Sequence, residues 1–273
     1  MQRRKQRPTF LRYLGIPALI LLWWAAAAVI KATTPNAEMI LPSPVEILAV
    51  DLPEFAAFYG KSGGITEPSY WLAFLVLAKN AAYTLWRVFA GMGAGILLGV
   101  AFALIMGWSR IVRLLFNWPI GMLRAVPTMA LIPLFLLWFG GREYGTVLFV
   151  VFSIFVVIVV NAMVAIRNIP PHYAQFAATL GANRSQIYRT VVIPAMIPGI
   201  VGGIRVSLGA VWAVVLGAEY LAVDVGLGNL LLLAKTFSRT GRMLVIVILF
   251  GLFSIALNHF AVKILNRVTK WQA

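Results

Sequence analysis

The side chains that could carry out chemistry are few and widely separated in this sequence. The two histidines, His172 and His259, are far apart and lack the spacing of metal ligands. No phosphate loop of the form Gly-x-x-x-x-Gly-Lys-Ser/Thr occurs, nor does a nucleophile elbow or a pair of catalytic carboxylates. Cysteine is absent, which excludes disulfides and thiolate metal sites. These absences disfavour a membrane enzyme, and any energy source is expected in another subunit.

A polar stretch between two apolar spans has the pattern of a recognition element instead. We call residues 170–195 the polar segment. A proline pair at its start predicts the beginning of a helix, which Gly181 can close in a left-handed conformation. Asn183 or Ser185 can cap a second helix, and Pro194 sets the entry into the next span. The apolar positions of the two helices are Phe176, Ala177, Leu180, Ile187, Val191 and Val192. The pattern alone fits a groove on a partner protein and lipid headgroups equally well.

The composition identifies the elements that must hold this segment. The chain is 62% hydrophobic and 11% charged, against about 45–50% and about 25% in ordinary soluble domains. A soluble fold could not bury this much apolar surface, so an all-α integral membrane protein is expected. The net charge of +15 does not indicate nucleic-acid binding, because no basic, aromatic-interleaved soluble domain is present.

Six stretches are long and apolar enough for membrane helices, which need roughly 20 residues. No soluble domain interrupts them, so residues 1–273 are predicted to form a single transmembrane domain. Residues 70–88 are expected to form a helix leading into the second span. An exterior turn at Leu41-Pro42-Ser43-Pro44 precedes a short amphipathic helix. The spans are predicted at residues 14–30, 89–108, 118–139, 145–165, 196–218 and 244–264.

Charge predicts the orientation of these spans. With a cytoplasmic N-terminus and six crossings, both termini lie inside, and most basic residues do so as well. The basic residues placed inside are Arg3, Arg4, Lys5, Arg7, Arg12, Arg110, Arg113, Arg167, Arg184, Arg189, Lys263, Arg267 and Lys270. The acidic residues all fall outside, at Glu38, Glu46, Asp51, Glu54, Glu67, Glu143, Glu219 and Asp224. The first span could instead be a cleaved signal peptide, although its apolar core exceeds the usual 7–15 residues or so.

Two of the spans contain helix-modifying residues. The third carries Pro119, Pro127 and Pro133, and proline frees backbone carbonyls that lipid cannot satisfy. This span is therefore expected to line a cavity, the alternative being a kinked packing helix. The second carries glycines that permit close helix packing, at positions 91, 93, 95 and 99. Lys79 and Arg87 lie near its outer end and are expected to extend toward the interface.

Several motifs together resemble one family of membrane proteins. The run Gln175-Phe-Ala-Ala-Thr-Leu-Gly181, followed by Ile193-Pro194, resembles the cytoplasmic "EAA" loop of ABC-importer permeases. Residues 41–44, 124–140 and 218–228 resemble corresponding parts of the nitrate/sulfonate/taurine-type permeases. The similarity covers about residues 40–270 and implies the type I ABC-importer permease fold with a cytoplasmic coupling helix. Two positions depart from the loop pattern: Gln175 replaces its usual glutamate, and Phe176 replaces its first alanine.

The resemblance implies both partners and a mechanism. Such permeases form dimers, usually homodimers, and bind two cytoplasmic ATPases, which hold the ATP and Mg. An exterior binding protein delivers the solute, and the protein resides in the bacterial cytoplasmic (inner) membrane. The chain itself is then a transport subunit that binds no cofactor or metal and has no ATPase site. The residues implied in ATPase coupling are Gln175, Ala177, Ala178, Gly181, Ala182 and Arg184.

The resemblance also assigns a path and a gate. Two copies of the third and fifth spans would enclose the path, with Arg124, Pro127, Pro133 and Arg205 as candidates. The two arginines could attract an anion, the alternative being contact with lipid headgroups, which is favoured for Arg205. Glu219 and Asp224, both expected in the exterior loop after the fifth span, are candidates for an exterior gate or a contact with the binding protein. The function implied is import of a small anion such as a sulfonate, taurine or nitrate. Bicarbonate or a vitamin precursor, an ion-coupled secondary transporter, and a membrane anchor or assembly subunit without transport remain alternatives.

Overall fold

The structure is a computed structural model, which describes residues 15–58 and 67–268. Regular structure in these ranges is helical, with short 3₁₀ and π turns between and within helices. The α-helices, in chain order, are α1 (Gly15–Thr33), α2 (Ala37–Ile40), α3 (Pro44–Glu46), α4 (Tyr70–Trp108), α5 (Arg110–Ala125), α6 (Ile132–Phe139), α7 (Glu143–Arg167), α8 (Pro171–Thr179), α9 (Arg184–Ile187), α10 (Ile193–Ala222), α11 (Leu227–Thr236) and α12 (Thr240–Val268).

The helices confirm an all-α membrane protein. Five are long and apolar enough to cross a membrane, and six spans result if one bent pair is counted as a span. The helix predicted at residues 70–88 and the second predicted span form one helix, because α4 runs without a break for 39 residues, or about 58 Å at 1.5 Å per residue. The first residue of the first predicted span, the basic residues before it, Lys61 and Lys270 lie outside the described residues.

The third span is where the structure departs most from a simple helix. It consists of α5, a 3₁₀ turn at Thr128–Leu131, and α6, and the two halves are bent by 97°. The break falls at Val126, whose backbone is extended (φ −76°, ψ 124°). Proline at 127 explains this, because a residue before proline avoids the helical conformation. The helix pair at residues 110–139, which counts as one broken span or as a re-entrant loop, is bent far more than a proline kink in a continuous helix.

The chain divides into two compact units. One contains the described residues up to Lys79 together with Leu230–Leu249, and the other contains Asn80–Asn229 and the described residues from Phe250 onward. In the first unit, Ser43 and Glu46 form a capping box at the start of α3. Glu46 also pairs with Lys31, and this hydrogen bond, with those from Ser43, holds the pKa of the Glu46 carboxyl below its usual value.

The second unit is assembled around α7, which contacts α4 and α10 through glycine. A Cβ added at Gly95 would lie 2.8 Å from Ile154 Cβ, and one at Gly99 would lie 2.8 Å from Ile158 Cβ. On α10, a Cβ at Gly203 would lie 2.8 Å from Asn161 Cβ. The predicted close packing is thus confirmed for these α4 positions and also for Gly91, whose added Cβ would overlap Val150. Gly93 is different, because nothing lies within 4 Å of its added Cβ.

These glycine contacts predict unequal effects of the same substitution. Gly95→Leu should lower the free energy of unfolding by about 1–3 kcal/mol, because the side chain would overpack the α4–α7 contact. Gly93→Leu, on the same helix, should change it by less than about 0.5 kcal/mol. Equilibrium unfolding in mixed micelles would measure both values, and equal destabilisation by the two variants would contradict the packing described.

Candidate functional site

A cavity of about 320 Å³ lies beside the break in the third span, and we call it the Arg124 cavity. Its polar lining comes from the broken span and from α7, namely Arg124, Thr128, Ser153 and Asn161. The remaining lining residues are apolar, at Leu123, Val126, Leu131, Phe152, Val156, Val157, Val160, Val164 and Val206. Arg124 is the only charged residue of this lining, and no carboxylate is part of it. The cavity is therefore electropositive, with a mainly apolar wall.

Arg124 is available for a ligand. Within the described ranges the guanidinium has no hydrogen bond or ion pair, and the residue is exposed. The polar groups opposite are held in place: Asn161 Nδ2 donates to the Val157 carbonyl (2.8 Å) and Ser153 Oγ donates to the Phe149 carbonyl (2.8 Å). Gly203 provides the space for Asn161, as its close approach shows. The cavity thus combines one free cation with fixed polar groups.

A second cavity, of about 260 Å³, shares Arg124, Val160 and Val164 with the first. It extends the space along α7 to Arg167, and α5 contributes Asn117 and Gly121 to its lining. Arg167 likewise has no ion pair within the described part of the chain. Two arginines therefore follow one another along two adjoining cavities, and Arg167 was not among the path candidates that the resemblance implied.

The other path candidates occupy different places. Pro127 precedes the 3₁₀ turn and Pro133 lies in the first turn of α6, so both shape the break without lining the Arg124 cavity. Arg205 does not line it either, although its neighbour Val206 does. The Arg205 guanidinium instead donates to Asn266 Oδ1 of α12 at 2.8 Å.

The polar segment folds as the residue pattern predicts. Helix α8 ends at Thr179 and is closed by Gly181, whose φ of 82° is in the left-handed region. The Gly181 amide donates to the Ala178 carbonyl (3.0 Å) and the Ala182 amide to the Ala177 carbonyl (3.1 Å), the two bonds of a Schellman motif. Asn183, not Ser185, then caps α9, in a capping box with Gln186. These bonds give the segment a defined geometry before α10 begins.

The surface of α8 is unusually apolar for an exposed helix. Phe176 is 68% exposed and Leu180 is 74% exposed, and Tyr173 lies beside them on the same helix. Gln175 and Ala178 are also exposed, whereas Ala177 and Ala182 are half-buried. Gln175 makes no side-chain hydrogen bond within the described residues. The helix therefore presents apolar side chains and one amide to whatever covers it.

The polar segment is fastened to the end of α4. Arg184 Nη2 donates to the Trp108 carbonyl (2.5 Å), and its guanidinium lies 4.9 Å from the centre of the Trp108 ring. Tyr188 packs edge-on to the same ring at 5.2 Å and donates from its hydroxyl to the Leu104 carbonyl (2.5 Å). Arg184, which the resemblance implied in ATPase coupling, is thus bound to Trp108 of the same chain.

A buried ionic cluster, which we call the Arg87 network, joins α4, α7 and α10. Arg87 Nη1 donates to Glu219 Oε1 (2.6 Å), and Arg87 Nη2 donates to Glu143 Oε2 (2.5 Å). Arg87 is 1% exposed and Glu219 is 0% exposed. The other oxygen of Glu219 accepts from the Thr84 hydroxyl and from the Gly228 amide, both at 2.9 Å.

The same network holds the turn between α10 and α11. Arg87 Nη1 also donates to the Val225 carbonyl (2.7 Å), and Asn80 Oδ1 accepts from the Gly226 amide (2.7 Å). Gly226 has φ 133°, and an added Cβ would lie 2.6 Å from Arg87 Nη1. Glycine is therefore required here both by the backbone conformation and by the space that the arginine occupies.

Two expectations from the sequence are corrected here. Arg87 does not extend toward the interface, because its side chain is buried and is bonded to the buried Glu219. Glu219 does not lie in a loop, since α10 continues past it to Ala222. Asp224 is exposed, in the turn that follows. Because the fifth span was predicted to end at residue 218, Glu219 was placed outside it. Arg87, a charge within a long apolar helix, indicated that a buried carboxylate was needed nearby.

Membrane-length helices and an electropositive cavity are typical of membrane transport proteins. Residues 91–270 match the family described as "binding-protein-dependent transport system inner membrane component", and the chain belongs to this family. It is accordingly a multi-pass inner-membrane permease subunit of an ABC importer.

Relatives and a solved structure are consistent with this assignment. The taurine transport system permease protein TauC of Escherichia coli (strain K12) is 26% identical, covering 94% of this chain and 88% of that protein. The putative aliphatic sulfonates transport permease protein SsuC of Bacillus subtilis (strain 168) is 27% identical, covering 98% and 90%. A structure of the MetNI methionine ABC transporter in an inward-facing conformation shares the fold, with a TM-score of 0.58 and 17% identity, covering 75% of this chain and 99% of that one.

The Arg87 network predicts a large effect of removing its buried carboxylate. Glu219→Leu should lower the free energy of unfolding by about 3–5 kcal/mol, because the Arg87 guanidinium stays buried but loses its buried carboxylate partner. Asp224→Leu, at an exposed carboxylate nearby, should change it by less than about 0.5 kcal/mol. Unfolding in mixed micelles measures both, and a Glu219 variant as stable as the parent would contradict the role assigned to the pair.

Proposed function

We propose that this chain forms the translocation path of an ATP-driven importer for a small organic anion. Each chain acts as one transmembrane domain. In the proposed complex, two copies of the chain bind two ATPase subunits, and an exterior binding protein delivers the solute. ATP and Mg are held by the ATPases, so that this chain hydrolyses nothing itself. The observation that carries the proposal is the free Arg124 guanidinium in a cavity without carboxylates beside a broken span.

The broken span gives Arg124 its role. Because α5 ends at Ala125 and the backbone turns at Val126, the Arg124 side chain lines both adjoining cavities. An anion passing from one cavity to the other would meet Arg124 between them and Arg167 beyond. We therefore propose Arg124 and Arg167 as the cations of the path and leave Arg205, which is bound to Asn266, outside it.

The lining favours an anion with an apolar body. The valines, leucines and Phe152 of the Arg124 cavity can contact an alkyl chain, and the arginine can bind a sulfonate or carboxylate through charge-assisted hydrogen bonds. The names of the taurine and aliphatic sulfonate relatives support the same class. Nitrate or bicarbonate would use the cation but leave the apolar wall without a contact. Aliphatic sulfonates are therefore the first substrates to test.

An ion-coupled secondary transporter would need an ionisable group that exchanges its ion during the cycle. The carboxylate found inside the bundle, Glu219, is already bonded to Arg87, Thr84 and the Gly228 amide. A carboxylate whose two oxygens are both bonded in this way is poorly suited to bind and release protons. Together with the family assignment, this supports import driven by a partner ATPase.

The polar segment is proposed as the site that binds the ATPase. Its exposed Phe176 and Leu180 can enter an apolar groove, and Gln175 can hydrogen-bond at the edge, beside the small residues Ala177, Ala178 and Ala182. Arg184 and Tyr188 would transmit movement of α8 to α4, because they fasten the segment to Trp108 and Leu104. In this assignment both chain termini and the polar segment face the cytoplasm. Glu219 then supports the exterior turn from within, and Asp224 is left to contact the binding protein.

Removal of the Arg124 charge should impair transport without affecting assembly. Arg124→Ala should reduce uptake of an alkanesulfonate by about tenfold or more, the effect of losing a charge-assisted hydrogen bond of roughly 1.5–3 kcal/mol. Arg110→Ala removes a cation from the same helix, outside both cavities, and should leave uptake near the parent value. Uptake into proteoliposomes with the ATPases and binding protein measures both, and equal loss of uptake and assembly would refute a path role for Arg124.

Docking of the ATPase should depend on the backbone at Gly181. Gly181→Pro should abolish co-purification of the ATPase subunit, because proline fixes φ near about −65° and cannot adopt the positive φ that closes α8. Gly181→Asn is the matched control, since asparagine tolerates this region and should retain the subunit. Retention of the ATPase by the proline variant would show that docking lies elsewhere.

A further inference from the structure

The carboxylates that share Arg87 are in unequal environments. Glu219 is 0% exposed and its two oxygens are bonded to Arg87, Thr84 and the Gly228 amide. The Glu143 side chain is 43% exposed, and both of its hydrogen bonds in the described residues go to Arg87. Loss of the Glu219 bonds would leave charges in the apolar interior. If the Glu143 bonds open, water can replace Arg87 at the partly exposed Glu143 carboxylate, and the Arg87 charge remains paired with Glu219 and bonded to the Val225 carbonyl.

The residues around Glu143 also suit a movable connection. Glu143 begins α7, and the turn before it contains Gly140 with φ 70°. At this corner the Thr146 hydroxyl is buried without a hydrogen-bond partner among the described residues, beside a void of about 10 Å³. Buried polar groups are nearly always bonded, so an unbonded hydroxyl beside a void marks a corner that is incompletely packed in this conformation.

This corner is connected directly to the cavity. Helix α6, the second half of the broken span, ends at Phe139, and only three residues separate it from Glu143. Phe135 of α6 packs on Phe149 and Phe152 of α7, with ring centres 5.1 Å and 5.5 Å apart, and Phe152 lines the Arg124 cavity. A movement of the broken span would therefore change the position of Glu143 relative to α4.

We propose that Arg87 is a positioning residue with one permanent and one releasable partner. Its bond to Glu219 fixes the α10–α11 turn to α4 throughout the transport cycle. Its bond to Glu143 closes the α6–α7 corner against α4 in the conformation described here and opens when the broken span moves. This inference rests on the proposed function, in which the corner and the turn lie at the exterior end of the path.

The test uses the assembled importer with its ATPase subunits in proteoliposomes. Glu143→Gln removes the charge of the releasable partner and should raise ATP hydrolysis in the absence of the binding protein by about fivefold or more, the lower end of typical couplings between sites. The reason is that the closed corner would no longer oppose the conformation in which the ATPases meet. Assembly and the unfolding midpoint should stay close to those of the parent.

Glu67→Gln is the matched control, because it neutralises an exposed carboxylate that has no ion pair within the described ranges. It should leave ATP hydrolysis unchanged. Glu143→Asp keeps the charge and should bring hydrolysis back toward the parent value if the ion pair is the cause. Glu219→Gln, in contrast, should lower the unfolding midpoint and the yield of assembled complex.

Three results would overturn the proposal. The first is ATP hydrolysis by Glu143→Gln equal to that of the parent and of Glu67→Gln. The second is loss of assembly in Glu143→Gln, which would make the bond a permanent structural contact. The third is stimulation that persists fully in Glu143→Asp. Failure of the parent chain to bind any ATPase is a separate outcome, which would refute the proposed function and is detected before a variant is compared.

Discussion

A buried guanidinium determines how one end of the second unit must be built. Arg87 lies in the largely apolar helix α4, where a buried charge without a partner would be strongly destabilising. The chain supplies two carboxylates and a backbone carbonyl, and it places Thr84 and Asn80 three and seven positions earlier on the same face of α4. Because Gly226 has no side chain, the turn can approach the arginine closely enough to complete the network.

The glycine contacts have a similar consequence for the rest of the unit. Close packing of α4 and α10 on α7 leaves little freedom in those three helices, since added methyl groups would overlap the facing side chains. The broken span differs from them. It packs on α7 through Phe135 and on α10 at Gly217, where an added Cβ would lie 2.6 Å from Met129 Sδ, but it also borders the cavities. In the proposed importer, movement during transport is most easily accommodated there.

Helix α4 connects two regions that the sequence separates. Arg87 and Trp108 are 21 positions apart on a single helix, or about 32 Å at 1.5 Å per residue. The first holds the network and the second receives Arg184 and Tyr188 of the polar segment. In the proposed importer, one continuous helix would thus link the ATPase-binding segment with the opposite end of the path.

The sequence by itself determined the membrane class, the approximate spans and the local form of the polar segment. These depend on composition, on the length of apolar runs, and on turn residues such as Gly181 and Asn183, whose effects act within a few positions. Only the tertiary structure showed that the third span turns by 97°, that Arg167 follows Arg124 along adjoining cavities, and that Arg184 binds Trp108. It also showed that Arg87, Glu143 and Glu219 meet inside the unit, although 132 positions separate the first from the last. Charged residues near span ends look alike in a sequence, because their partners are chosen by helix packing and not by spacing along the chain.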